Sequence, residues 1–206
     1  MLTHSLQRYD DAVAAGEWQK AADPFLLTYP VRELAAMTLG IVGYGELGRR
    51  VGDIARAFGM DVLVAARRGA DPVPEGRVGF SEMLERADAV TLHCPLTSET
   101  RNLMGRAEFR RMKNTAFLIN TARGGLVDSA ALADALRSGA IAGAAVDVLP
   151  AEPPVAGDPL LDYEGDNLII TPHVAWASTE ARQNAIDELA ANTAAFLNGE
   201  ERNRVV

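Results

Sequence analysis

The segment from Thr38 to Gly48, TLGIVGYGELG, constrains the fold of this chain more than any other stretch. A short apolar run leads directly into Gly43, Gly45 and Gly48, spaced G-x-G-x-x-G, and a stretch of helical period follows with Leu47, Val51, Ile54, Ala55 and Phe58. In this pattern the first glycine allows a tight turn, the second lets backbone approach a pyrophosphate, and the third lets helix pack on strand. The helix then points its first amides, at Glu46, Leu47 and Gly48, toward the phosphates. Bare glycine spacing is a weak signal, but the strand before it and the helix after it make this a dinucleotide-binding Rossmann turn.

Past residue 37, β-branched or apolar runs alternate with helical stretches, the signature of βαβ units feeding a parallel sheet. LGIVG, DVLVAA, DAVTLH, TAFLIN, AGAAVDV and NLIIT read as strands. Between them Gly59 ends the first helix, Ser81 opens FSEMLERA, and Asp128 opens DSAALADALRSG, which Gly139 closes. The expected fold is α/β: one doubly wound parallel sheet of six strands over residues 38–176. Residues 1–37 read as a helix, a loop and a linker. Residues 177–206 carry a long helix from Ser178 to Asn198 with Ile186, Leu189, Ala190, Thr193, Phe196 and Leu197 on one face. The loop from Pro150 to Asp166 is long enough to suggest function.

Composition narrows the partners. Of 206 residues 48% are hydrophobic, ample for a core, and 20 basic against 28 acidic side chains give a net charge of −8 with no basic stripe, which argues against nucleic acid. No apolar run approaches the roughly 20 residues of a membrane helix, and the N-terminus lacks a signal-peptide layout, so a cytoplasmic address with no membrane partner is expected. The one cysteine, Cys94, excludes an internal disulfide, and three scattered histidines lack metal-ligand spacing.

About 20 residues beyond the glycines such a domain usually carries an acid for the ribose hydroxyls. Here Ala66 takes that place and Arg67 and Arg68 follow, guanidiniums able to meet a 2′-phosphate with forked, charge-assisted bonds. This favours NADP(H), with NADPH preferred, over NAD(H). The other reading is two solvated surface arginines beside a site lacking its acid.

Further segments carry a family resemblance. LHCPLTSETRNLM, NTARGGLVDSAALADALRSG, AAVDVLPAEPP and IITPHVAWAS, in this order, resemble the D-isomer-specific 2-hydroxyacid dehydrogenases across nearly all of residues 1 to 200. Within the family the chain looks most like the glycerate dehydrogenase, or hydroxypyruvate reductase, branch. The resemblance implies that Arg123 binds the substrate carboxylate and carbonyl, that His173 is the general acid–base, and that Glu152 is the histidine's partner. Residue chemistry supports these roles: imidazole can hold and give a proton near neutral pH, a neighbouring carboxylate orients it, and the arginine fork clamps a carboxylate while steadying a developing anion. The resemblance also places Cys94, Pro95, Thr121, Ala122, Asp147 and Ala175 beside the cofactor. Trp176 either walls the substrate pocket or packs on the last helix.

The implied function is hydride transfer between a nicotinamide cofactor and a small 2-keto or 2-hydroxy acid such as hydroxypyruvate or glyoxylate, in a homodimer. Family members carry a first, substrate-binding domain. The resemblance begins at the crossing from it, with Met1–Arg8 like the tail of a helix before a dimer arm, so a half-built cleft with poor turnover is expected. The alternative is a non-catalytic dinucleotide-binding or dimerisation module of the same fold.

Overall fold

The computed structural model describes residues 1–203, which form two compact units, residues 1–170 and the segment from residue 171 onward. Residues 204–206, the end of the expected C-terminal segment, lie outside the described residues.

The first unit is built on six parallel strands: β1 (Thr38–Val42), β2 (Asp61–Val64), β3 (Ala89–Leu92), β4 (Phe117–Asn120), β5 (Gly143–Val146) and β6 (Leu168–Ile170). Their spatial order is β2-β1-β3-β4-β5-β6. All six expected strands are present. Strand order reverses between β1 and β3, so the crevice at their carboxyl ends is the topological switch point where such sheets bind ligands. Central strands are buried on both faces, as β3 is throughout, which is why they read as unbroken apolar runs rather than as alternations.

Two cores follow from the pleat. Val42, Val90, Leu92, Leu118, Ala144 and Val146 belong to a core that also holds Met83 and Leu84 of α3 (Phe80–Arg86) and Leu132 and Leu136 of α5 (Ser129–Arg137). Leu39, Ile41, Ala89 and Phe117 join Met37 and Ala55 of α2 (Glu46–Ala57) in the other. The Asp128 carboxylate caps α5 by accepting from the Ala131 amide at 3.0 Å, and Gly59 and Gly139 leave their helices at positive φ, as the sequence signals indicate.

One helix boundary needs correction. Gly79, not Ser81, stands at the N-cap of α3, and Ser81 lies one residue inside. In α2 the buried residues are Gly48, Gly52 and Ala55, whereas Leu47, Ile54 and Phe58 are exposed. Small side chains bring the helix axis close to the sheet, Val51 packs at the core's margin, and Leu47, Ile54 and Phe58 are left outside. The short α4 (Arg106–Phe109) carries no strong periodic signal and went unread.

Within the first unit, residues 1–37 form a 3-10 turn, then α1 (Leu6–Ala14), then an arm. Tyr9 donates from its hydroxyl to the Tyr29 carbonyl at 2.7 Å, with the two rings edge to face. Arg32 pairs with Asp88 at 3.1 Å, and Asp88 also accepts from Lys113 Nζ at 3.1 Å and the Thr38 amide at 2.9 Å. Burial opposes the Asp88 charge, but these donors outweigh it and hold the carboxyl below the usual carboxylate range. Its stabilisation is therefore fully present above about pH 4 and is lost as pH falls through the lowered folded value. Asp88→Ala should cost about 2–3 kcal/mol in denaturant unfolding at neutral pH. The gap to wild type should narrow in acid; a constant gap would contradict this role.

In the second unit α6 (Thr179–Leu197) starts at Ser178, whose hydroxyl accepts from the Ala181 amide, and ends before Gly199 at positive φ. Ile186, Leu189, Phe196 and Leu197 are exposed. Among the described residues no helix is long and apolar enough to cross a membrane.

Candidate dinucleotide and carbonyl site

At the end of β1 each glycine of the turn shows its own reason. Gly43 has φ +92°, and a Cβ there would stand 2.4 Å from the Cys94 amide nitrogen, so the turns after β1 and β3 touch backbone to backbone. A Cβ on Gly48 would meet the Gly43 carbonyl oxygen at 2.1 Å, which keeps the first turn of α2 against the phosphate loop. A Cβ on Gly45 would meet nothing within 4 Å. Gly45, Glu46 and Leu47 are exposed, leaving their backbone open to a ligand. This open edge beneath a helix N-terminus fits a pyrophosphate, and a nicotinamide dinucleotide is the group these residues could hold.

Beyond β2, Ala66 is buried and its amide donates to the Val78 carbonyl at 2.8 Å. The two arginines that follow differ. Arg68 is engaged by Glu108 at 2.8 Å, by the Leu103 carbonyl and by the face of Phe80. Arg67 is exposed and makes no side-chain hydrogen bond or ion pair among the described residues. Arg77, which the sequence reading passed over, reaches the Ala65 carbonyl at 3.1 Å, because Ala65 and Val78 form a parallel bridge.

After β3, burial pushes the His93 imidazole pKa down and the Cys94 thiol pKa up, so neither favours its charged form. His93 Nε2 pairs with Thr91 Oγ1 at 3.1 Å. The Pro95 carbonyl accepts from the Thr100 hydroxyl at 2.7 Å, closing the turn that follows it. That loop lies along the segment after Arg123: the Gly125 carbonyl accepts from the Asn102 amide, and the Leu126 carbonyl accepts from the Met104 amide.

Arg123 sits three residues beyond β4 and is exposed, with Nη1 donating to the Ala122 carbonyl at 2.7 Å. Thr121 is exposed and Ala122 half-buried. Gly124 cannot carry a side chain, since its Cβ would lie 1.9 Å from the carbonyl carbon of Leu149. The turn bearing Arg123 is thus pressed against the loop bearing Glu152. Asp147 is buried just past β5, and its amide donates to the Asn120 carbonyl at 2.9 Å. Glu152 is exposed, and Oε1 accepts from the Leu149 amide at 2.8 Å, which fixes the carboxylate to its own loop.

The sheet order therefore brings Gly43, Cys94, Arg123 and Asp147 to successive strand ends on one edge. His173 and Ala175 belong to the second unit, where His173 is half-buried at φ +55° and its amide donates to the Thr171 carbonyl at 3.0 Å. Trp176 is exposed. Asn120, buried at the end of β4, was read only as a strand residue. Its signal was a polar side chain closing an apolar run just before the arginine.

Comparison with known proteins gives consistent results. Residues 1–175 match the family model described as D-isomer specific 2-hydroxyacid dehydrogenase, NAD binding domain. The chain is 45% identical over 205 residues to a glycerate dehydrogenase of Methylorubrum extorquens, covering 99% of this chain and 64% of that protein. Among solved structures it is similar to a D-lactate dehydrogenase with NAD+ from Lactobacillus jensenii, at 31% identity and TM-score 0.82, covering 100% of this chain and 64% of that one. It is also similar to an acyclic imino acid reductase in complex with NADPH and D-Arg, at 29% identity and TM-score 0.81, with the same coverage. The chain thus spans less than two thirds of the length of these relatives.

Proposed function

The chain belongs to the D-isomer-specific 2-hydroxyacid dehydrogenase family, and from that premise we propose that it serves hydride transfer between a nicotinamide dinucleotide and a small 2-keto acid, hydroxypyruvate or glyoxylate. The observation that carries this reading is the Arg123 turn, held at the carboxyl end of β4 on the edge that also carries the open Gly45 backbone. Bound there, the reduced nicotinamide supplies the hydride.

The chain's own residues divide the remaining work. Arg123 clamps the substrate carboxylate with its planar fork and steadies the carbonyl oxygen as negative charge grows on it. From the resemblance of AAVDVLPAEPP and IITPHVAWAS to the family, we assign to His173 the proton that this oxygen takes up and to Glu152 the role of its partner. Reduction of hydroxypyruvate then yields D-glycerate, and glyoxylate yields glycolate. Glu46, Leu47 and Gly48 offer amides to the pyrophosphate, while Cys94, Pro95, Thr121, Ala122, Asp147 and Ala175 line the cofactor's path. Exposed Leu47 and Ile54 on α2 and Phe58 at its C-cap, with Phe25, Leu27 and Val31 on the arm, support pairing with a second copy.

NADPH is the preferred cofactor in this reading, because Ala66 offers no carboxylate to repel a 2′-phosphate and Arg67 has no competing partner among the described residues. Fluorescence titration should show tighter binding of NADPH than of NADH. Arg67→Ala should narrow the gap roughly tenfold, the worth of a forked, charge-assisted contact. Arg68→Ala should narrow it less, since Glu108 and Phe80 already occupy that guanidinium. Equal affinities for the two cofactors in the wild type would remove the NADP assignment. NADPH consumption on adding hydroxypyruvate tests the activity itself, and its absence at saturating cofactor would contradict the reading.

A further inference from the structure

We propose that Asn120 is a positioning residue that aims Arg123, acting through the backbone of the turn at residues 121–123. Its side chain, 1% exposed, closes β4. Nδ2 donates to the Arg123 carbonyl at 3.0 Å, and Oδ1 accepts from the Ala122 amide at 3.1 Å. The backbone carbonyl of the same residue accepts from the Asp147 amide at 2.9 Å. One buried side chain thus closes the Arg123 turn from within, and its main chain ties that turn to the start of the loop carrying Glu152.

Little else fixes the direction of the arginine from this side. Its backbone is extended, at φ −146° and ψ 137°, and its guanidinium rests on the Ala122 carbonyl, part of the turn that Asn120 holds. On the other side Gly124 abuts Leu149 and Pro150 with no space for a Cβ. The turn is therefore clamped between a hydrogen-bonded amide and a backbone wall. Only an amide side chain of this length both donates and accepts there: an aspartate keeps the acceptor for Ala122 but has no N–H for the Arg123 carbonyl, and alanine offers neither. A buried amide used at both ends on loop backbone specifies a conformation, which an apolar residue filling the same volume would leave open.

This inference rests on the reading of Arg123 as the carboxylate clamp, and the experiment separates the two. The full chain is compared as wild type, Asn120→Asp, Asn120→Ala and Arg123→Ala. Each is titrated with NADPH and then, saturated with NADPH, with oxamate, a 2-keto-acid mimic; the heteronuclear NOE of the Arg123 amide is measured alongside. Asn120→Asp should keep NADPH affinity within about twofold and weaken oxamate roughly tenfold, the worth of one well-formed buried hydrogen bond. Its Arg123 NOE should fall while the sheet amides keep wild-type values. Unchanged oxamate affinity with an unchanged NOE overturns the proposal, and so does a parallel loss of NADPH and oxamate, which would mark general damage. If Arg123→Ala binds oxamate like wild type, the clamp reading fails instead, and the Arg123 NOE in Asn120→Asp still decides the role of Asn120. Should one Asn120 variant not fold, the other carries the same comparison.

Discussion

Gly48→Ala is expected to lose both stability and dinucleotide binding, whereas Gly45→Ala loses binding alone. The added methyl at position 48 would meet the Gly43 carbonyl oxygen at 2.1 Å and its carbon at 3.2 Å, both backbone atoms of a turn held at positive φ. Neither can swing aside as a side chain would. Overpacking of this kind costs about 1–3 kcal/mol or more, and relief requires α2 to move off the loop whose geometry binds phosphate. At Gly45 the backbone lies at φ −78°, which alanine adopts without strain, and the methyl meets no protein atom within 4 Å. Stability should change by less than about 1 kcal/mol. The same methyl stands where a pyrophosphate must approach, so NADPH affinity should fall at least about tenfold. Denaturant unfolding and NADPH titration of the two variants check this. Wild-type affinity in Gly45→Ala would place the phosphates elsewhere.

His173→Asn should lower the rate of hydroxypyruvate reduction by about 10²–10⁴, the usual worth of a positioned general acid, with NADPH affinity unchanged. Asparagine can still hydrogen-bond but cannot give up a proton at neutral pH, so the loss isolates proton transfer from binding. Glu152→Gln should cost less. Glutamine retains the carbonyl oxygen that accepts from the Leu149 amide, so the loop is kept and only the charge is removed. Steady-state kinetics at saturating NADPH measure both. A histidine variant as fast as wild type would remove the general-acid role.

The sheet was legible because parallel strands buried on both faces appear as short β-branched runs, and because Asp128, Gly59 and Gly139 carry the side chain or the conformational freedom that their positions need. The face of α2 was not. Periodicity counts apolar residues, but close approach to β1 selects Gly48, Gly52 and Ala55, and nothing local says that Leu47, Ile54 and Phe58 face outward. The start of α3 was misplaced for a related reason: a serine is a good cap signal, yet Gly79 holds the extended backbone there.

In the candidate site, residue types were readable from the sequence while their hydrogen-bond and ion-pair partners were not. Arg67 and Arg68 are equivalent in sequence, and only tertiary contact with Glu108, Leu103 and Phe80 separates them. Asn120 reads in the sequence only as a polar end to an apolar strand, and its two hydrogen bonds to the Arg123 carbonyl and the Ala122 amide come from the fold. The Glu152 loop stands out by its length, but the contact of its start with Gly124 depends on β5 lying beside β4.

The hydrogen transferred in turnover tests the assigned function most directly. With NADPH carrying two deuterons at nicotinamide C4 and hydroxypyruvate as the acceptor, the expected product is D-glycerate carrying deuterium at C2, formed by wild type and lost in Gly48→Ala. Glycerate without the label, label in the L product, or no product at saturating NADPH would contradict a D-2-hydroxyacid dehydrogenase role for this chain.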